Sequence, residues 1–459
     1  QTGVAISFLV RKGRKGGGRI YYARRPEMDT ADEKLAFLAA SPASQISFQR
    51  IEPDKRHNWI NLAENDWDEF IPVADKETKA TKWPSRERAI FKTYSLGLGT
   101  NRDEWAYDQS PDFLQRKAAF FTETYKQHMG VKAPKDFRNF DKSIKWTTEL
   151  EKAARESVSL SISPPLLGVA AYRPFGRRWI NYAPLLVHRF YAQRTFFPSA
   201  KRSENSSINV YSVSSDKELA CLAADSVTDL GFLKQGNGGT FSLARYRYVP
   251  SGERVDNITA WAENKFIARY GKGVTKDDIF AYVYAVLHDP VYRETYAINL
   301  KREFPRIPFY PDFRQWVDWG QRLLEFHIGY EAVEPWPLKR TDTPDEKARA
   351  AGLTPKAMLK ADKDNGSIRL DSETVLSGLP PEAWSYRLGN RSGVEWILDQ
   401  YKEKTPKDPT IREKFNTYRF ADYKEQVVDL IARVTRVSVE TMAIVQAMKD
   451  APREDSGPN

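Results

Sequence analysis

Seven cations with no carboxylate among them form the most chemically suggestive stretch of this sequence. Residues 157–203 contain no Asp or Glu, where the average composition would supply about six. The stretch carries Arg173, Arg177, Arg178, Arg189, Arg194, Lys201 and Arg202, interleaved with Tyr172, Phe175, Trp179, Tyr182, Phe190, Tyr191, Phe196 and Phe197. Cations among aromatic rings suit phosphate contacts, forked hydrogen bonds to base edges and stacking on bases. The same residues also suit a strand-rich core whose arginines stack on their own rings. A second candidate lies at Gln235-Gly236-Asn237-Gly238-Gly239. There Lys234 and Asn237, with Arg245 and Arg247 beyond, would reach a groove, because glycines let the backbone approach closely. A plain hairpin turn accounts for those glycines equally well.

The charge balance agrees with a polyanionic partner and places it. The 459 residues hold 71 Lys and Arg against 61 Asp and Glu, a net charge of +10. From Arg340 to Asn459 there are 20 basic and 20 acidic residues, so the excess, 51 against 41, lies in residues 1–339. The neutral C-terminal third therefore reads as scaffold rather than groove reader. With 41% hydrophobic and 13% aromatic residues the chain is a folded, globular one. Its single cysteine, Cys221, excludes an internal disulfide or a cysteine-based zinc cluster and fits a reducing, cytoplasmic compartment. No apolar run approaches the roughly 18–20 residues of a membrane span. The start at Gln1, inside an apolar run, is what a fragment of a longer chain would show.

Several chemistries lack their residues. Methylation of adenine's exocyclic amine needs a glycine-rich cofactor loop and an Asn/Asp-Pro-Pro-aromatic motif whose amide and carbonyl accept from the amine while the ring stacks the flipped base. The nearest string, Ser163-Pro164-Pro165-Leu166, lacks both acceptor and ring, and Gly97-x-Gly99 follows no acidic strand end. There is no phosphate-binding Gly-x4-Gly-Lys-Ser/Thr. His57, His128, His188, His288 and His327 are scattered without metal-ligand spacing. No catalytic centre and no metal site is expected in this chain.

These side chains need elements to position them. Residues 3–23 read as strand, basic glycine turn and strand, and a helix over 30–40 should start at Thr30 with Glu33 closing a capping box. The spacing predicts a short helix at 85–95 and amphipathic helices at 110–130 and 139–156. From Val158 to Tyr248 the pattern changes to short strands broken by Gly, Pro and Asn, with a turn at Arg173-Pro174-Phe175-Gly176. Helices return at Thr275, capped with Asp278, then from Pro290 to about Glu303 and over Phe313–Tyr330. Residues 339–366 are polar and charged and read as a linker or mobile loop. Beyond them come a β-like stretch, a helix at Val394–Tyr401 and a C-terminal helix over Tyr423–Met448.

Five blocks carry a family resemblance. Tyr172-Arg173-Pro174-Phe175-Gly176-Arg177-Arg178-Trp179-Ile180-Asn181-Tyr182 resembles the Tyr/Phe-Arg-Pro-Phe-x-x-Arg-x-x-Tyr signature of single-polypeptide Type ISP restriction–modification enzymes. Thr100–Trp105, Asp277–His288, Phe304–Phe309 and Gly393–Tyr401 are similar to further blocks of that family, in its order. The resemblance implies bacterial phage defence by one chain carrying a nuclease, a helicase-like ATPase, an adenine methyltransferase and a target recognition domain. It implies that this chain starts beyond the methyltransferase's catalytic motif, so that S-adenosylmethionine, ATP and Mg belong to the parent enzyme and not to these residues. The implied fold is α+β. Residues 1–155 would end an α/β, Rossmann-like methyltransferase sheet, with Val4–Ala23 as its last strands. Residues 156–338 would be the target recognition domain and 339–459 its C-terminal part, with a linker at 339–366 and helices. The implied partners are duplex DNA and the upstream methyltransferase and helicase domains, with no membrane. A nuclease or modification enzyme with an unrecognised site, or an RNA-binding or protein-docking scaffold, remains the alternative. One departure is Ser392-Gly393-Val394 where the family has Ser-Ala-Ile, a change expected to alter packing at most.

Overall fold

A computed structural model describes residues 6–10, 18–25, 30–53, 57–59, 65–130, 141–160, 166–201, 205–211, 217–233 and 238–454. The chain divides into two compact units, Gln1–Asp66 and Trp67–Asn459. In the first, the Thr30 hydroxyl accepts from the Glu33 amide and the Glu33 carboxylate accepts from the Thr30 amide, starting the Ala31–Ala40 helix as expected. The expected opening hairpin is not formed among the described residues. Residues 6–10 carry no strand, and Ile20–Tyr22 pairs instead with Gln49–Ile51 in antiparallel register.

The second unit is built on a central helix. Lys276–Val286 is buried on every side from Asp278 onward, so it is apolar all round rather than amphipathic. Thr275 and Asp278 cap its start reciprocally. Against it lie the Phe313–Ile328 helix and a four-stranded antiparallel sheet ordered Ser95–Leu96, Phe241–Ala244, Ser207–Tyr211, Ala220–Ala224. Gly320 is the point of closest helix approach, where an added Cβ would fall 1.9 Å from the Ala281 carbonyl oxygen. Backbone cannot yield as a side-chain tip would, so Gly320→Ala is expected to cost about 3 kcal/mol, the upper end of overpacking. The shift of the denaturant midpoint measures it, and an unchanged midpoint would contradict the packing described.

A second core joins the Gly393–Tyr401 and Lys424–Lys449 helices to a four-stranded antiparallel sheet ordered Lys339–Asp342, Thr374–Ser377, Ser367–Asp371, Ala357–Asp362. Residues 339–366, expected as a linker, thus supply two of its strands and the short Glu346–Ala350 helix. A third sheet, Tyr107–Asp108, Gly176–Asn181 and Leu167–Arg173, carries the signature. The Pro111–Gln127 and Thr148–Arg155 helices pack nearby around Trp105, Phe121 and Tyr125. Every ladder between strands among the described residues is antiparallel, with isolated parallel bridges such as Ala171 to Thr228, so the architecture is mixed α and β with small antiparallel sheets. Three expected helices change form, and of 139–156 only Thr148–Arg155 is helical among the described residues. Only the turn Pro84–Arg86 is helical within 85–95, and the helix from Pro290 breaks at Tyr296 into Pro290–Thr295 and Ala297–Arg302. Among the described residues no helix is long and apolar enough to cross a membrane.

Candidate nucleic-acid interface

The signature folds into a hairpin whose turn is sterically demanding. Arg173 pairs with Gly176 across Pro174 and Phe175, and Phe175 adopts a left-handed φ of +54°. Proline at the first central position favours such a turn, but an aromatic at the second is strained there. Burial holds it in place. The Phe175 ring packs edge-on against Tyr330 and His327, and Gly393 leaves room for it, since a Cβ there would lie 3.0 Å from Phe175 and from Val434. The Gly393 departure from the family pattern is therefore a packing one.

The arginines at the hairpin are largely answered from within the fold. Arg173 donates to Asp229 at 2.6 Å and lies 4.0 Å over the Tyr172 ring. Asp229 also accepts from the Tyr107 hydroxyl at 3.1 Å and the Gly231 amide at 2.8 Å. Burial pushes the Asp229 carboxyl up to about 6, against the pull of Arg173. Arg177 donates to Asp225 at 2.7 Å and Glu331 at 3.1 Å. Arg178 donates to the carbonyls of Arg177 and Gln400 and lies over Tyr401 and Tyr172. Arg245 is clamped by Asp256 at 2.6 Å and Asp277 at 2.5 Å. Arg247 stands half-buried in the Tyr246–Tyr248 strand. A cleft of about 410 Å³ opens beside the hairpin, and its cations, Arg177, Arg178 and Arg433, all carry intramolecular partners.

The remaining cations are presented outward. Arg189, Arg194 and Lys201 are exposed. Arg194 lies 3.8 Å over the Phe190 ring and donates to the Tyr182 carbonyl, while Arg189 meets Glu149 only at 3.6 Å. Their loop is anchored. Gly99 and Arg189 exchange both backbone hydrogen bonds, at 2.9 and 2.7 Å, the Ala192 amide donates to Ser95 Oγ, and Gln193 Nε2 reaches the Leu96 carbonyl and Ser242 Oγ. Two residues of this tip have backbone conformations that the sequence pattern did not suggest. Tyr191 is 47% exposed with φ +48°, and neighbouring Asn101 is exposed with φ +55°. Asparagine's tolerance of left-handed backbone was the available signal for Asn101; Tyr191 stood among the aromatics of the 157–203 stretch, but nothing local marked its left-handed backbone or its exposure. Arg102 beside it is structural, buried, donating to the Leu185 carbonyl and to Thr147 at 2.8 Å, with burial lowering it to about 10. Arg202, Lys234 and Asn237 lie outside the described residues.

No cofactor cradle is formed by the glycines at 97 and 99. A Cβ on Gly97 would fall 2.5 Å from the Asp229 carbonyl oxygen, so protein backbone already fills that space. Gly99 faces Arg189 and Tyr191. These residues do not fit S-adenosylmethionine. Among the described residues no group of three or more His, Cys, Asp or Glu is placed to hold a metal.

The model of the family described as "Type ISP C-terminal specificity domain" matches residues 89–430. Among solved structures, a DrdV–DNA complex is similar at 45% identity and a TM-score of 0.87, covering 94% of this chain and 43% of the other. A nuclease-deletion mutant of the Type ISP restriction–modification enzyme LlaGI, in complex with a DNA substrate mimic, is similar at 25% identity and a TM-score of 0.77, covering 95% of this chain and 40% of that one. The ATP-dependent Type ISP enzyme LlaBIII, bound to DNA, shares the fold at 22% identity and a TM-score of 0.73, covering 90% and 26%. The chain therefore spans less than half the length of these relatives. A comparison with curated protein sequences found no match.

Proposed function

This chain belongs to the Type ISP C-terminal specificity domain family, and from that premise we propose that it recognises a duplex DNA sequence for a longer restriction–modification polypeptide. The observation that carries the proposal is the 45% identity, over 94% of the chain, to a protein whose structure was solved on DNA. The division of labour follows the family. The upstream methyltransferase and helicase-like domains would bind S-adenosylmethionine, ATP and Mg, and this chain would place them on their target in the bacterial cytoplasm. Residues 1–155 would close the methyltransferase sheet, 156–338 form the target recognition domain and 339–459 its C-terminal part.

Within the expected DNA-binding set, the placement of partners separates two roles. Arg173, Arg177, Arg178 and Arg245 hold the scaffold together, because a guanidinium already paired with carboxylates or carbonyls has little left for phosphate. Arg189 and Lys201 face outward and would contact phosphates, with Asn101 and Tyr191 beside Arg189 at the same tip, while Arg194, exposed but donating to the Tyr182 carbonyl and lying over Phe190, would support that tip.

Duplex binding by the intact polypeptide over a salt series tests this. Arg189→Ala and Lys201→Ala are each expected to reduce the slope of log K against log salt by about 0.9, with the melting temperature unchanged. Equal affinity for single-stranded RNA and duplex DNA in the unsubstituted protein would sink the DNA reading itself.

A further inference from the structure

The C-terminal third is electrically neutral along the chain, yet the fold sorts its charges by face. In the four-stranded sheet, Thr341, Val375, Arg369 and Lys360 stand directly opposite one another across all four strands. Lys339, Ser377, Ser367 and Asp362 form the next row on the same side. The intervening row, Leu376 and Ile368, is buried in the second core, so the first two rows make up the outer face. Lys339, Lys360 and Arg369 are all exposed there, and no hydrogen bond or ion pair within the described residues answers their charges.

Four carboxylates packed around the sheet are used elsewhere. Asp371 pairs with Lys424 at 2.8 Å, Glu373 with Arg349 at 2.9 Å and Glu395 with Lys363 at 2.7 Å. Asp342 is held by Arg340 at 2.8 Å and Thr374 at 2.6 Å. Asp362, the one acid in these two rows, accepts from the Asn365 amide at 2.8 Å and keeps its charge, so the two rows hold three cations against one carboxylate. What remains is a cationic sheet face.

Lys360 directly opposite Arg369 is an unfavourable arrangement in the isolated fold, since like charges across a strand pair repel. It is also a built one. The strand shifts register by a bulge just before Lys360, and Leu359 in that bulge takes a left-handed φ of +48° while remaining buried. Leu359 is thereby pinned in the core, and Lys360 is fixed across from Arg369 on the open face.

We propose that this face, through Lys339, Lys360 and Arg369, is a second contact surface for the phosphate backbone of duplex DNA, separate from the Arg189 tip. The inference rests on the DNA-binding reading above and adds to it a part of the chain whose sequence is neutral. Rows of cations with the small hydroxyl side chains of Thr341, Ser367 and Ser377 between them suit phosphate oxygens and carry no base code.

The test is Lys360→Glu in the intact polypeptide, beside the triple replacement of Lys339, Lys360 and Arg369 by alanine. Lys360→Glu converts a repulsive pair into an attractive one, so the melting temperature should hold or rise while duplex affinity falls and its salt dependence weakens. The triple variant should reduce the slope of log K against log salt by about 2.7, three times the value for one phosphate contact. Unchanged affinity and slope in these well-folded variants, with duplex binding intact and still sensitive to Arg189→Ala, would overturn the sheet face alone. Failure of the unsubstituted protein to bind duplex DNA would overturn the function it rests on.

Discussion

Replacing Arg173 by methionine should destabilise the protein by about 3–5 kcal/mol, the cost of leaving one partner of a buried ion pair alone. Asp229 is 3% exposed and would keep only the Tyr107 hydroxyl and the Gly231 amide as donors. Its carboxyl is already pushed up to about 6 with Arg173 present, so without it the group must take up a proton or remain a charge in a poor solvent. Asp229 also anchors the strand crossing, since its amide donates to the Ala171 carbonyl and its neighbour Leu230 donates to the Leu98 carbonyl. Pairing Arg173→Met with Asp229→Asn should restore much of the loss, because the isolated charge is then gone. Denaturant unfolding of the three variants measures this. If instead Arg173→Met unfolds like the unsubstituted protein and loses duplex affinity, Arg173 is a DNA contact rather than a strut.

The reason the sequence alone favoured Arg177 and Arg178, with Arg173 beside them, as DNA contacts lies in distance along the chain. An acid-free window of 157–203 is blind to carboxylates brought in by the fold, and here they come from Asp225, Asp229 and Glu331. The helix signals were more legible because they are local: the capping boxes at Thr30 and Thr275 each lie within four residues and both form. The stretch 339–366 misled in the opposite way. Its polarity suggested a linker, but an antiparallel sheet with one open face needs apolar residues only on alternate positions, and Leu359, Ile368, Leu370 and Leu376 suffice. Neutral composition likewise hid the outer face, because Asp371, Glu373 and Glu395, which balance the charge along the chain, are paired away from it with Lys424, Arg349 and Lys363. Local pattern gives elements; which charges remain over is a property of the packed chain.

Acid should unfold this protein through two buried histidines. His327 sits where three helices meet: its Nδ1 is 2.6 Å from the Tyr284 hydroxyl, and its Nε2 is 2.9 Å from Thr441 Oγ1 and 3.1 Å from the Tyr386 hydroxyl. Tyr284 already accepts from the Ala223 amide at 2.9 Å, so its own proton is best placed on Nδ1, which leaves the His327 proton on Nε2. His288 must donate from Nδ1 to the Tyr284 carbonyl at 2.8 Å, and its Nε2 has no partner among the described residues. A second proton on either ring would be a buried charge, beside Arg293 and the other histidine. Burial accordingly pushes His327 down to about 3 and His288 well below the usual histidine range. Since the unfolded chain titrates near 6.5, it binds more protons than the folded one between that value and about 3. The stability these neutral rings contribute is therefore complete above pH 6.5 and is lost as pH falls, by up to about 1.4 kcal/mol per pH unit for each ring. By pH 4 His327 alone should have removed about 3 kcal/mol. Denaturant unfolding between pH 7.5 and 4 reads the slope, and His288→Gln or His327→Gln should each flatten it by about one proton's worth while lowering stability at neutral pH through lost packing. A variant with the acid slope of the unsubstituted protein would show that the replaced ring is already protonated, or solvated, in the folded state.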